Sequence, residues 1–147
     1  MDFSFQPMTA KEAVDIERWR YEDVGEVPRV GRPGDEDFTA RDGVSVVGYC
    51  SFGRTAMIPH YVDEDHFVGV AWGLRPDLVG RDNGTKFVEA IIELGSQRYH
   101  PRRLQAVIKR TNGRSLKSAE DADLFQVDEV SGRIVLQQPG SSATDRA

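Results

Sequence analysis

Leu74-Arg75-Pro76-Asp77-Leu78-Val79-Gly80-Arg81-Asp82-Asn83-Gly84-Thr85 is the stretch from which the rest of the chain is read. An apolar run, Phe67-Val68-Gly69-Val70-Ala71-Trp72-Gly73-Leu74, enters it, and an amphipathic run over residues 86–94 leaves it. The order is strand, glycine-bearing loop, helix. Such a junction aims free backbone N–H groups and the positive end of a helix dipole at one point, which suits a phosphate. Asp82-Asn83-Gly84 is equally an ordinary turn and N-cap signal. The local chemistry therefore leaves an anion site and a plain connection both open.

Outward from that loop the chain reads as one domain over residues 1–137 and a flexible tail over 138–147. The 147 residues fit a single unit of about 100–200. Hydrophobic residues make up 39% and charged residues 29%, an ordinary globular mix that can bury a sizeable core. A net charge of -5 and a pI of about 5.2 argue against a general nucleic-acid binder. The single cysteine, Cys50, excludes an internal disulfide and a cysteine-based zinc site. No apolar run approaches the roughly 20 residues that span a bilayer, and the N-terminus lacks a basic-then-apolar leader layout. The expected location is the cytoplasm.

Phe3 and Phe5 alternate in a short strand. Thr9 and Glu12 have capping-box spacing, and the helix behind them aligns Ala13, Ile16 and Trp19. Residues 21–37 are rich in Gly, Pro and charge and read as a long loop. Asp42-Gly43 turns a hairpin between residues 38–41 and 44–52, with Cys50 as a buried small hydrophobe. His60 and His66 flank Asp63-Glu64-Asp65 at no recognised metal-ligand spacing, so no metal is expected and a charged hairpin end is the reading. Residues 67–74 are nearly all apolar, as in a central strand buried on both faces. Phe87, Val88, Ile91, Ile92 and Leu94 stripe the following helix, and Gly95 and Pro101 are its stop signals. Residues 103–109 form a further strand. Asn112 then precedes a helix, either as its N-cap or as a side chain reaching a ligand. Residues 124–130 and 133–137 are two strands joined by Ser131-Gly132.

This order of elements resembles the GNAT superfamily of acyl-CoA-dependent N-acyltransferases over roughly residues 3 to 137. Gly84 falls on the last glycine of the family's loop and Gly80 on an earlier one. Asn112-Gly113-Arg114-Ser115-Leu116 is similar to the start of the family's last helix. The resemblance implies an α/β (α+β) fold: a mixed, mostly antiparallel sheet of about seven strands with helices on both faces. It implies acetyl-CoA as co-substrate and a primary amine on a small molecule or peptide as acceptor. Nucleic acid, membrane and metal have no part in it, and a homodimer is common in the family. Pantetheine would lie along Trp72, Gly73 and Leu74. Its pyrophosphate would meet Val79, Gly80, Arg81, Asp82, Asn83, Gly84 and Thr85, and Asn112 would approach from the other side. The pattern departs at Asp82, which takes the place of a middle glycine, at Val79, which takes that of an Arg or Gln, and at Ala119, which takes that of a tyrosine proton donor. His66 and Tyr49 are then the candidate catalytic groups. A member that binds acyl-CoA or a partner without catalysis is the alternative. Residues 63–65 and the 21–37 loop would flank the acceptor, either as a solvated acidic edge or as a wall for a cationic amine.

Overall fold

The fold comes from a computed structural model that describes residues 1–21, 32–53, 56–58, 61–80 and 82–140. Its strands are β1 (Ser4–Pro7), β2 (Asp37–Asp42), β3 (Ser45–Phe52), β4 (Phe67–Leu74), β5 (Arg103–Lys109), β6 (Phe125–Val130) and β7 (Arg133–Gln137). Its α-helices are α1 (Ala10–Glu17), α2 (Asn83–Tyr99) and α3 (Gly113–Asp121). The strands form one sheet in the order β1-β2-β3-β4-β5-β7-β6. Only β4 and β5 run parallel; every other neighbour is antiparallel. The expected mixed, mostly antiparallel seven-stranded sheet is the one observed.

Strand alternation divides the side chains between two layers. Gly48 faces the Phe87 ring of α2, while the next residue, Tyr49, faces Trp19 behind α1. Helices α2 and α3 thus cover one face and α1 the other. The larger core joins Val68, Val70, Leu104, Ala106, Ile134 and Leu136 of the sheet to Phe87, Val88 and Ile91 of α2 and Ala119 of α3. A smaller cluster of Met8, Ala13 and Ile16 packs with Trp19 and Tyr49 under α1.

The Thr9 capping box is present in both directions, with Glu12 N–H donating to Thr9 Oγ1 at 3.2 Å and Thr9 N–H donating to Glu12 Oε1 at 2.9 Å. Gly95 is not a stop. Helix α2 runs four residues further, to Tyr99, and buries Gly95 where a Cβ would come 2.9 Å from Leu104. A close approach to β5 therefore explains this glycine. The strand expected to be buried on both faces is so only in its first half: Phe67, Val68, Gly69 and Val70 are buried, and Ala71 is exposed. At the other end of the sheet, Gln138 is tied to β5: its N–H donates to the Leu104 carbonyl and its side chain accepts from the Leu104 N–H. The expected tail thus begins with an ordered residue, and residues 141–147 lie outside the described ones. Among the described residues, no helix is long and apolar enough to cross a membrane.

Gly69 lets the chain after β3 lie directly on β4. A Cβ there would stand 2.4 Å from the Gly53 carbonyl oxygen and 2.6 Å from Met57 Cγ. The first of these is backbone and cannot rotate away. Gly69→Ala should lower unfolding stability by about 1–3 kcal/mol, as overpacked sites do, read as a fall in the urea midpoint. An unchanged midpoint would show that Gly53 and Met57 can yield to the added methyl.

Candidate functional site

The site begins where β4 and β5 part. They pair at four positions, Phe67↔Arg103 to Val70↔Ala106, and no further. Beyond that point each keeps its outer neighbour: β4 stays on β3 as far as Gly48↔Leu74, and β5 stays on β7 as far as Lys109↔Arg133. A cleft of about 330 Å³ fills the gap. Val70, Ala71 and Trp72 line one wall and Val107, Ile108 and Lys109 the other. Residues 56–58, Asn112 and Ser115 at the start of α3, and Arg133 complete it.

The open edge of β4 can be assigned group by group. Arg75 N–H donates to the Val47 carbonyl on β3 at 2.8 Å. The carbonyl of the same peptide, that of Leu74, points the other way, into the gap. By alternation Trp72 also turns its N–H and C=O to the gap, while Ala71 and Gly73 bond toward β3. Trp72 and Leu74 therefore offer a short strand edge of the kind that pairs with an extended amide-bearing ligand. The Leu74 carbonyl is already engaged, accepting the Tyr21 hydroxyl at 2.6 Å. Burial first, with Tyr49 beside it second, pushes the Tyr21 phenol above its usual range. Tyr21 thus stays protonated and serves as a donor.

On the α1 face, β4 presents Gly69, Ala71 and Gly73. Tyr49 lies across Gly73: a Cβ there would meet its ring at 2.4 Å and its hydroxyl at 3.0 Å. Gly53, Ala56 and Met57 cover Gly69 in the same way. Ala71, between these two covers, is exposed and lines the cleft. Small residues at alternate positions thus admit two lids and leave one window.

At the far end of β4 a turn of 3-10 helix, Pro76–Leu78, leads to the loop. Gly80 has φ 75 and Asp82 φ 61, both left-handed. Asp82 is the N-cap of α2 yet makes no capping bond with its side chain. Its exposed carboxylate sits in a backbone conformation that glycine favours. Asn83 pins the loop by donating to the Leu78 carbonyl at 3.4 Å. Val79 and Thr85 are half-buried beside it, and Arg81 lies outside the described residues. Gly84 has a packing reason: a Cβ would fall 2.3 Å from Ser118 Oγ, so this glycine brings α2 against α3. Arg75 is held by Asp77, donating from Nε at 2.6 Å. Asn112 caps α3, accepting from Ser115 N–H at 3.3 Å, and lines the cleft as well.

Of the expected site residues Trp72 and Asn112 line the cleft; Gly73 and Leu74 continue β4 beyond it, and Tyr49 lies across Gly73. His66 is not near it. It precedes β4 at the closed end, bonded to Asp63 at 3.0 Å, with 69% of its side chain exposed. Trp72 lies six steps further along the chain, about 20 Å away at roughly 3.3 Å each. The acidic run lies at that same closed end, where the Glu64 carbonyl accepts from Arg102. His60 is outside the described residues. Cys50 is fully buried, and burial pushes its thiol up. Among the described residues no group of three or more His, Cys, Asp or Glu could hold a metal. Sequence reasoning missed Tyr21, residues 56–58, Lys109 and Arg133. Nothing local marks Tyr21, whereas the outward alternation of Val107 and Lys109 against Ile108 was a usable signal.

Two changes in the loop separate conformation from charge. Gly80 has nothing within 4 Å of a built Cβ, so Gly80→Ala should cost only the left-handed penalty, about 1–2 kcal/mol. Asp82→Gly should relieve a similar penalty and lose a helix-dipole term of about 0.3–1 kcal/mol. A net gain of up to about 1 kcal/mol in urea unfolding is expected.

No protein-family profile and no curated protein matches the chain. Solved structures do. The aminoglycoside acetyltransferase AAC(6')-Ib in complex with coenzyme A is 18% identical, with a TM-score of 0.77 over 99% of this chain and 98% of that one. The same enzyme with paromomycin and acetyl-CoA is 17% identical, with a TM-score of 0.75 over 94% and 93%. A GNAT-family acetyltransferase from Bacillus anthracis is 13% identical, with a TM-score of 0.65 over 92% and 93%. The chain therefore has the fold of the GNAT acyl-CoA N-acyltransferases.

Proposed function

We propose that the protein transfers an acetyl group from acetyl-CoA to a primary amine. The observation that carries this reading is the β4 edge that β5 leaves at Trp72 and Leu74, where Tyr21 meets the Leu74 carbonyl and a loop then leads to a helix N-terminus. Structures with the same fold hold acetyl-CoA or coenzyme A. In this reading pantetheine amides pair with the backbone groups of Trp72 and Leu74. The first-turn amides of α2, with residues 79–85, receive the pyrophosphate. A backbone N–H of the edge takes the thioester oxygen as negative charge develops there.

The amine reaches the thioester through the Ala71 window. The nitrogen attacks the carbonyl carbon, the C–S bond breaks, and a thiolate leaves while the amine gives up a proton to solvent water at the open window. Tyr49, lying across Gly73, supplies the thiolate's proton. Ala119 cannot, because it is buried in the core and has no acidic proton. Tyr21 is a poorer donor to a thiolate because burial raises its pKa. His66 has no part in this chemistry from the closed end of β4.

Calorimetric titration with acetyl-CoA should show saturable heat; none at millimolar ligand would overturn the reading. Tyr49→Phe should cut kcat by about a hundredfold or more with little change in the acetyl-CoA KM, as loss of a general acid does. Asp82→Gly should tighten coenzyme A binding by on the order of 1 kcal/mol, about fivefold, by removing an exposed like charge near the phosphates. Asp82 and Ala119 favour a second reading, a protein that binds acyl-CoA without turnover. Thiol release from acetyl-CoA with any amine excludes it.

A further inference from the structure

Tyr21 and Leu74 are 53 positions apart, yet the Tyr21 hydroxyl donates to the Leu74 carbonyl at 2.6 Å. That carbonyl is the last one on β4 that turns toward the gap left by β5. Arg75, the next residue, already bonds back to Val47 on β3. Among the described residues the β4 walls of the cleft are Val70, Ala71 and Trp72, so the cleft stops short of Leu74. Strand pairing does not stop it there, because β5 has left β4 after Val70. The Tyr21 side chain stands at that end instead.

The phenol sits between the two sides of the opening. Tyr21 is half-buried, and burial above all, then Tyr49 beside it, raises its pKa, while Arg114 in the first turn of α3 acts in the opposite sense. Such effects require groups close together. Tyr49 belongs to the β4 side, where it lies across Gly73. Arg114 belongs to the other side, where the start of α3 also gives Asn112 and Ser115 to the cleft. Backbone groups removed from water are costly when unmet, so a donor at the Leu74 carbonyl satisfies an edge that β5 gives up.

We propose that Tyr21 is a removable cap on the β4 edge, which holds the Leu74 carbonyl until the pantetheine arm of coenzyme A takes its place. The identity of that arm rests on the acetyl-transfer reading. An O–H and an amide N–H that approach one carbonyl from the same gap compete for one position. The exchange is even in hydrogen bonds: the arm's N–H replaces the phenol, and the phenol turns to water. Coenzyme A then binds only the fraction of molecules in which Tyr21 has moved off, and its apparent affinity falls by that fraction. A single side chain, unlike a paired strand, leaves without undoing any part of the sheet.

Tyr21→Phe removes the donor and keeps the ring. In the full chain it should bind coenzyme A about two- to tenfold tighter, the usual range for one hydrogen bond. The gain should lie in the association rate, with the dissociation rate unchanged. Adenosine 3′,5′-bisphosphate, which lacks the pantetheine arm, should bind both proteins alike; an equal gain for it would overturn the cap, because the change would then act at the phosphate end. A crystal of the wild-type chain with coenzyme A decides independently of any variant. The Tyr21 hydroxyl should be beyond hydrogen-bond distance of the Leu74 carbonyl, and a bond still in place would overturn the proposal. The two readings fail separately. Coenzyme A bound with Tyr21 still on Leu74 would sink the cap alone. Tighter coenzyme A binding by Tyr21→Phe, with no thiol release from acetyl-CoA for any amine, would keep the cap and sink acetyl transfer.

Discussion

The parting of β4 from β5 after Val70 and Ala106 is the constraint around which the molecule is arranged. Unpaired backbone groups inside a sheet are costly unless something else meets them. Here both strands are held apart by their outer partners, since β3 keeps β4 to Leu74 and β7 keeps β5 to Lys109. Asn112, Ser115 and residues 56–58 wall the resulting gap. The closed end carries the core contacts of Val68, Leu104 and Phe87, so the open end can remain unfilled without loss of the sheet.

Side-chain size on β4 then decides what the gap can do. Gly69 and Gly73 give up packing of their own so that a loop and a tyrosine ring can lie flat on the strand. The exposed residue between them, Ala71, leaves the only small step in that surface among β4 residues 69–73. A larger residue at any of the three would displace a lid or close the window. On the opposite layer Gly84 and Gly95 bring α2 close to α3 and β5.

Charge follows the same division. The loop end carries Asp82 in a left-handed conformation, so the backbone shape of a glycine is kept while a negative charge is added. The cleft between β4 and β5 carries Lys109 and Arg133. The acidic run at residues 63–65, which from the sequence would have flanked the acceptor, sits instead by Arg102 at the closed end.

The order of the elements, their types and the fold were legible in the sequence because each depends on nearest neighbours. Thr9 and Glu12 cap a helix, Ser131-Gly132 closes a hairpin with two positive φ values, and the apolar run of residues 67–74 forms a strand. The loop at residues 74–85 and the cap at Asn112 were legible for the same reason. Other features depend on pairs far apart in the chain. Tyr21 meets Leu74 across 53 positions, Lys109 opposes Arg133 only through register, and His66 is removed from the cleft by the direction of β4. Gly95 reads as a helix stop until Leu104 appears against it, and Gly84 gains a packing reason in Ser118 that its place in the loop does not show. Local propensity and periodicity were written in the sequence; which side chains share the cleft was decided by the pairing of distant strands.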